Sequence, residues 1–264
     1  MKQYNRTILT AAFILSLLCL TLRTSGLASP PTKVEDITAK VWEKARTQQT
    51  KVNDYVCTLL SNKQEKDNTG KAESVTRIEM KSYFKKPDKQ LKEFVKATKD
   101  GKMVSKKDLQ SWVFAALFVK SSEELAEEIQ KEMKSIITFS PDYKDKLDMK
   151  ILREEKIEGG NTWVIGTVSR SKDLKLKEAT LWIGQDKLRT IKIEAESVEN
   201  PSTFVKLVKI TISLSEVAPE IFLPKATKIE TSLSKVSSKQ VETMNEYSNY
   251  KINSGLADSL FLKP

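Results

Sequence analysis

Few of the side chains that normally carry enzyme chemistry are present in this sequence. It contains no His. That removes His-dependent triads, His general bases and every His-containing metal motif. Cys57 lies in the apolar run Tyr55-Val56-Cys57-Thr58-Leu59-Leu60 with no activating neighbour, so it reads as a small packed hydrophobe. The paired carboxylates Glu123-Glu124, Glu127-Glu128 and Glu154-Glu155 are the available acid, base or metal candidates. They sit among Lys-rich surface elements, where solvated charge is the simpler reading. The one Gly pair, Gly159-Gly160, is a turn rather than a phosphate loop. No nucleophile–base pair, metal site or cofactor motif can be named, and the chain reads as non-enzymatic. What remains is apolar chemistry. Trp112, Trp163 and Trp182 either line a ligand cavity or fill a core, and the run Leu109–Val119, which holds Trp112, Phe114, Leu117 and Phe118, is either a buried helix or a movable lid.

The elements that must position these residues begin after a leader. Lys2 and Arg6 precede an apolar stretch from Thr7 to Leu22, and Gly26-Leu27-Ala28 supplies small residues for cleavage. This predicts a signal peptide over 1–28, cut after Ala28, and one mature domain over 29–264. Leu17-Leu18 before Cys19 are too large for a lipidation site, so the mature chain keeps Cys57 alone.

Val34, Ile37, Val41, Trp42 and Ala45 recur at helical spacing over 33–51, behind a Thr32/Glu35 capping box. Strands follow at Tyr55–Ser61, Ser74–Phe84 and Leu91–Thr98. A helical region over 109–137 ends at Ser140-Pro141. Seven further strand candidates fill 146–251, with clean alternation at Ile191 and Ile193 and at Val208, Ile210 and Ile212. The resulting class is α+β, a strongly curved antiparallel sheet of about ten to eleven strands covered by helices.

Charge is concentrated in one window. The chain carries a formal +10, and 81–107 alone holds ten Lys against Asp88, Glu93 and Asp100. Such a stretch suits anionic lipid or an acidic partner protein, or is simply a solvated Lys-rich face. Nucleic acid is excluded, because only seven of the 45 basic residues are Arg, the usual base-reading side chain.

The C-terminal stretch Tyr250-Lys251-Ile252-Asn253-Ser254-Gly255-Leu256-Ala257-Asp258-Ser259-Leu260-Phe261 resembles the closing "Y-x-x-N-x-G-L-x-D-x-x-F" pattern of outer-membrane lipoprotein-sorting (LolA-like) carriers. Leu223-Pro224 is similar to the "lP" that opens their penultimate strand. Leu181-Trp182-Ile183-Gly184 with Leu188 to Glu194, and Met80 to Glu93, match other segments in order. The resemblance implies an unclosed β-barrel with helices over an apolar cavity. It implies a periplasmic carrier of lipoprotein acyl chains or other lipid, working with membrane release and acceptor proteins. In that family an Arg before the Pro holds the lid closed; here the position is Lys86, flanked by Lys85 and Lys89, which become the candidates for lid control or partner docking. The cavity and lid candidates are Trp112, Phe114, Leu117, Phe118, Trp163, Trp182, Ile191, Ile193, Val208 and Ile210. The alternative is an envelope sensor of the same fold that binds a partner protein. A monomer is expected, without cofactor.

Overall fold

The computed structural model describes residues 33–67, 69–105, 108, 125, 128, 129, 131–203, 205–233 and 239–262. The expected signal peptide, and Trp112, Phe114, Leu117 and Phe118, lie outside them. Eleven strands form one antiparallel sheet: β1 Asp54–Lys66, β2 Ala72–Lys85, β3 Lys89–Lys99, β4 Lys102–Val104, β5 Leu147–Ile157, β6 Gly160–Ser169, β7 Leu176–Gly184, β8 Arg189–Ser197, β9 Val205–Ala218, β10 Ile221–Leu233 and β11 Gln240–Ile252. Their spatial order is β4-β3-β2-β1-β11-β10-β9-β8-β7-β6-β5, so β4 and β5 are free edges and the sheet does not close. The β1–β11 pair is the seam that joins the two ends of the chain.

Alternation explains which side is dry. Cross-strand pairing aligns Ile165, Leu181, Ile193 and Ile212 in one row, and Thr167, Ala179, Ala195, Ile210 and Ile229 in the next. These rows share one apolar cluster with Ile37 and Val41 of α1 (Val34–Lys51) and with Leu125, Ile129, Met133 and Ile136. The last four stand at spacings of four, four and three, one face of a helix whose described end is 131–137. Full burial of each such side chain stabilises the fold by about 1.5–3 kcal/mol, and it is this face that holds the helices on the sheet.

Several boundaries differ from the sequence reading for identifiable reasons. β1 runs on through the polar Asn62-Lys63-Gln64-Glu65-Lys66, because β2 and β11 pair with it along its whole length; ladder bonds override weak local propensity. The β1–β2 turn is set by Asp67, whose Oδ1 accepts from Thr69 N, Thr69 Oγ1 and Lys71 N. β4, absent from the sequence reading, is folded back on β3 by Asp100 and Gly101, both at positive φ. β10 starts at Ile221, so Pro224 lies inside the strand, at a register shift where its missing N–H does no harm. The N-cap of α1 is Lys33, with no side-chain cap; Glu35 and Asp36 instead place negative charge on the first turn.

Candidate functional site

An apolar cavity of about 210 Å³ lies beside the core, between α1 and β5. Thr38, Ala39 and Trp42 of α1 form one wall, Leu147 and Met149 of β5 the opposite one. Ile136, Phe139, Pro141 and Tyr143 form the strap between them, and Glu35 is the only charged lining residue among the described residues. Two of the three lining hydroxyls are engaged, Thr38 Oγ1 donating to Glu35 O at 3.1 Å and Ser140 Oγ to Asp142 at 3.4 Å; the third belongs to Tyr143. The interior therefore presents little unpaired polarity and favours an apolar occupant.

The strap is shaped by a strained helix end. Ser140 N donates to Ser135 O at 2.9 Å and Phe139 N to Ile136 O at 3.0 Å, the paired bonds of a Schellman end. The residue at the left-handed position, usually Gly, is Phe139 at φ 53°. Holding a large side chain there costs about 1–2 kcal/mol, and the result is an aromatic ring in the cavity wall. Two contacts fix the strap's helix to the sheet from the other side. Thr190 Oγ1 donates to Ile137 O at 2.7 Å, and the buried Glu132 carboxylate accepts from Lys175 N and Leu176 N at 3.0–3.1 Å. The strap is thus tied to β7 and β8 and faces the free edge β5.

The sequence-predicted cavity residues separate into groups. Trp163, Ile193, Val208 and Ile210 are together in the buried cluster, on the helix-covered face. Trp182 is buried on the other face, where its indole Nε1 donates to Glu155 and Lys192 Nζ stands 4.5 Å from the ring centre. Ile191 is half-buried at the β7–β8 irregularity and is not part of the cluster. None of these six lines the cavity. Of its own residues the sequence marks Trp42, on the apolar stripe of α1, and Pro141, at the helix stop; nothing in it marks the left-handed Phe139.

The three candidate lysines all make contacts within the chain. Lys85 Nζ reaches Asp258 at 2.8 Å and Leu256 O at 2.6 Å, Lys89 Nζ reaches Asp258 at 3.0 Å, and Lys86 Nζ donates to Gln49 O near the end of α1. The hydrogen bonds from Lys85 and Lys89, with their charge, hold the Asp258 carboxyl below its ordinary range. The rest of the Lys-rich window is distributed by strand alternation, not gathered on one face. In the register, Lys81 lies opposite Glu93 and Lys92 opposite Ser82, on successive and therefore opposed positions.

These lysines belong to a clasp made largely by the C-terminal motif. Asp54, only 4 % exposed, accepts from Ser254 N at 2.7 Å, Ser254 Oγ at 2.9 Å, Gly255 N at 3.1 Å and Leu256 N at 3.3 Å. Burial pushes its carboxyl up, and the bonds from Ser254, Leu256 and Gly255 outweigh this and hold it below the ordinary range. Asn253 accepts from Asn53 N at 2.7 Å and donates to Lys51 O at 2.8 Å. Tyr250 donates to Pro224 O at 2.7 Å, linking the two motif segments directly. Around it Tyr55 stacks on Phe84 at 5.1 Å and meets Tyr250 edge-on at 5.7 Å. Burial drives the Tyr55 phenol up to about 12 and those of Tyr247 and Tyr250 upward too. The Cys57 thiol, buried beside them, is likewise pushed up and away from its reactive form. Among the described residues no group of His, Cys, Asp and Glu could hold a metal ion, and no helix is long and apolar enough to cross a membrane.

An unclosed antiparallel half-barrel with helices across one face and an apolar cavity under them defines the structural class. Solved structures similar in fold include a DUF1329 family protein from Desulfovibrio piger (14 % identity, 85 % of this chain and 96 % of that one, TM-score 0.46). An outer membrane lipoprotein-sorting protein domain from Vibrio parahaemolyticus is similar over 85 % of this chain and 97 % of its own, at 13 % identity and TM-score 0.42. A LolA superfamily protein from Nitrosomonas europaea covers 86 % and 97 % at 12 % identity, with TM-score 0.37. No protein-family model and no curated protein sequence matches the chain.

Proposed function

We propose that the protein is an exported, periplasmic carrier that shelters acyl chains of lipoprotein or another lipid in transit toward the outer membrane. The observation that supports this reading best is the 210 Å³ cavity with a single charged lining residue among those described. An apolar cavity of roughly 150 Å³ admits benzene, so this one accommodates a chain segment of about seven carbons. Transfer of each methylene from water contributes about 0.8 kcal/mol, which makes such a segment worth roughly 5–6 kcal/mol before ordering costs. A whole ligand usually needs about 300–1,000 Å³. Loading a full acyl chain therefore requires α1 and the strap to move apart. Lys85, Lys86 and Lys89 control that movement in this reading, since Lys86 ties the end of α1 to the β2–β3 turn and the other two tie that turn to the C-terminal clasp. Exchange of those contacts for lipid phosphates or for carboxylates of a membrane partner would loosen the C-terminal end of α1, which Gln48, Lys51 and the apolar face still hold.

Ala39→Trp is the direct test, because Ala39 lines the cavity from a helix that tolerates Trp. Filling the space should abolish binding of a fluorescent fatty acid while leaving the circular dichroism and unfolding midpoint near those of the wild type. Undiminished binding by a folded Ala39→Trp protein would move the acyl site elsewhere. A wild-type protein that binds no lipid at all would favour the partner-binding alternative.

A further inference from the structure

Arg189, at the start of β8, carries guanidinium N–H groups that the fold does not hydrogen-bond. Its side chain is only 6 % exposed, and its Nε and Nη1 are buried without a hydrogen-bond partner among the described residues. A buried guanidinium is normally forked onto a carboxylate or onto carbonyl oxygens. The nearest carboxylate by charge coupling, Glu220, is already taken by Lys51 and, at 4.0 Å, by Lys44, both from α1. Glu216 is taken by Lys187 and also accepts from Glu220 N at 2.7 Å. This end of the sheet therefore gathers Lys44, Lys51, Lys187 and Arg189 around Asp186, Glu216 and Glu220, with one positive charge in excess.

The geometry points to a phosphate-binding site at Arg189, with Lys187 and the α1 lysines at its rim. The planar guanidinium matches two oxygens of a phosphate at once. Phosphate offers more acceptor oxygens than a carboxylate, enough for the two unpartnered guanidinium N–H groups and a rim lysine together. Without an occupant the buried guanidinium is destabilising, because nothing replaces the water it has lost. Burial alone already weakens its hold on its proton. A site of this kind trades stability for binding. It lies on different residues from the apolar cavity and would exist whether or not that cavity carries lipid.

Thermal unfolding of the wild type and of Arg189→Met tests this. Each is titrated with inorganic phosphate, with dioctanoyl phosphatidic acid, and with sodium chloride at matched ionic strength. Wild-type Tm should rise by roughly 3–6 °C above the chloride control at about tenfold the dissociation constant. Arg189→Met should show no such rise. A response to phosphatidic acid but not to inorganic phosphate identifies a lipid headgroup as the source, and a response to inorganic phosphate alone identifies the free ion. No wild-type response to either, or an equal response in Arg189→Met, overturns the site. Should Arg189→Met fail to fold, Arg189→Lys replaces it in titration calorimetry. Affinity at least tenfold weaker than wild type is expected there, and unchanged affinity overturns the proposal.

Discussion

Replacing Asp54 by Asn should loosen the C-terminal clasp although the side chains have the same shape. The carboxylate accepts four hydrogen bonds, two from Ser254 and one each from Gly255 N and Leu256 N. An Asn can place its carbonyl oxygen toward Ser254, which turns its NH2 toward Gly255 N and Leu256 N, donor against donor. Two charge-assisted bonds are lost and two part-buried backbone donors are set against an NH2, at about 2–4 kcal/mol in total. For a chain of this size that corresponds to a fall in Tm of roughly 5–10 °C. The sign with pH follows from the depressed carboxyl of Asp54. Its contribution is complete above the unfolded value near 4 and is lost as pH falls through the lower native value. Urea unfolding at pH 7 and at steps below pH 4 should therefore show wild type and Asp54→Asn converging in acid. Equal midpoints at neutral pH, or a gap that persists undiminished at the acid end, would refute the role of the charge.

Phe139→Gly should relieve the left-handed backbone while removing a cavity wall, so its Tm should change by only a few degrees and its affinity for a fluorescent fatty acid should fall. Trp182→Phe removes an indole bond to Glu155 on the face away from the helices; a loss of about 1 kcal/mol in urea unfolding is expected, with lipid uptake unchanged. Asp258→Asn removes the ion pairs of Lys85 and Lys89, leaving Lys85 its bond to Leu256 O. Asp258 is well exposed, so stability should hardly change, and lipid exchange, followed by stopped-flow fluorescence, should accelerate and lose part of its salt dependence. Tyr55 is raised to about 12, so stability should decline as pH rises from about 10 toward 12 and the unfolded phenol ionises first. Ultraviolet titration of the folded protein should then show delayed tyrosinate formation.

The parts of the fold legible in the sequence are those where burial imposes a period. Ile37 and Val41 marked α1, and Ile193, Val208 and Ile210 marked the dry face of the second half of the sheet. Alternation cannot tell which face the helices cover once a bulge intervenes. Trp163 pairs with Ile183 and Val164 with Trp182, so the two Trp occupy successive positions of the β6–β7 ladder and end on opposite faces. The polar half of β1 was hidden because its strand character comes from β2 and β11, distant partners in the chain. The cavity was hidden for a related reason. It is assembled from α1, the strap and β5, and depends on the left-handed backbone of Phe139, which no residue preference announces. The motif Tyr250–Phe261 was legible as a pattern, and its chemistry is that of a clasp: Tyr250 on Pro224, Asn253 on the end of α1, and Asp258 on Lys85 and Lys89.

The most direct measurement is native mass spectrometry of the chain from Ser29 to Pro264, isolated from a periplasmic extract, beside its Ala39→Trp variant. The carrier reading predicts a bound acylated peptide or phospholipid on the wild type and a ligand-free mass for the variant. A ligand-free wild type that stays so after incubation with detergent-solubilised lipoprotein would contradict it.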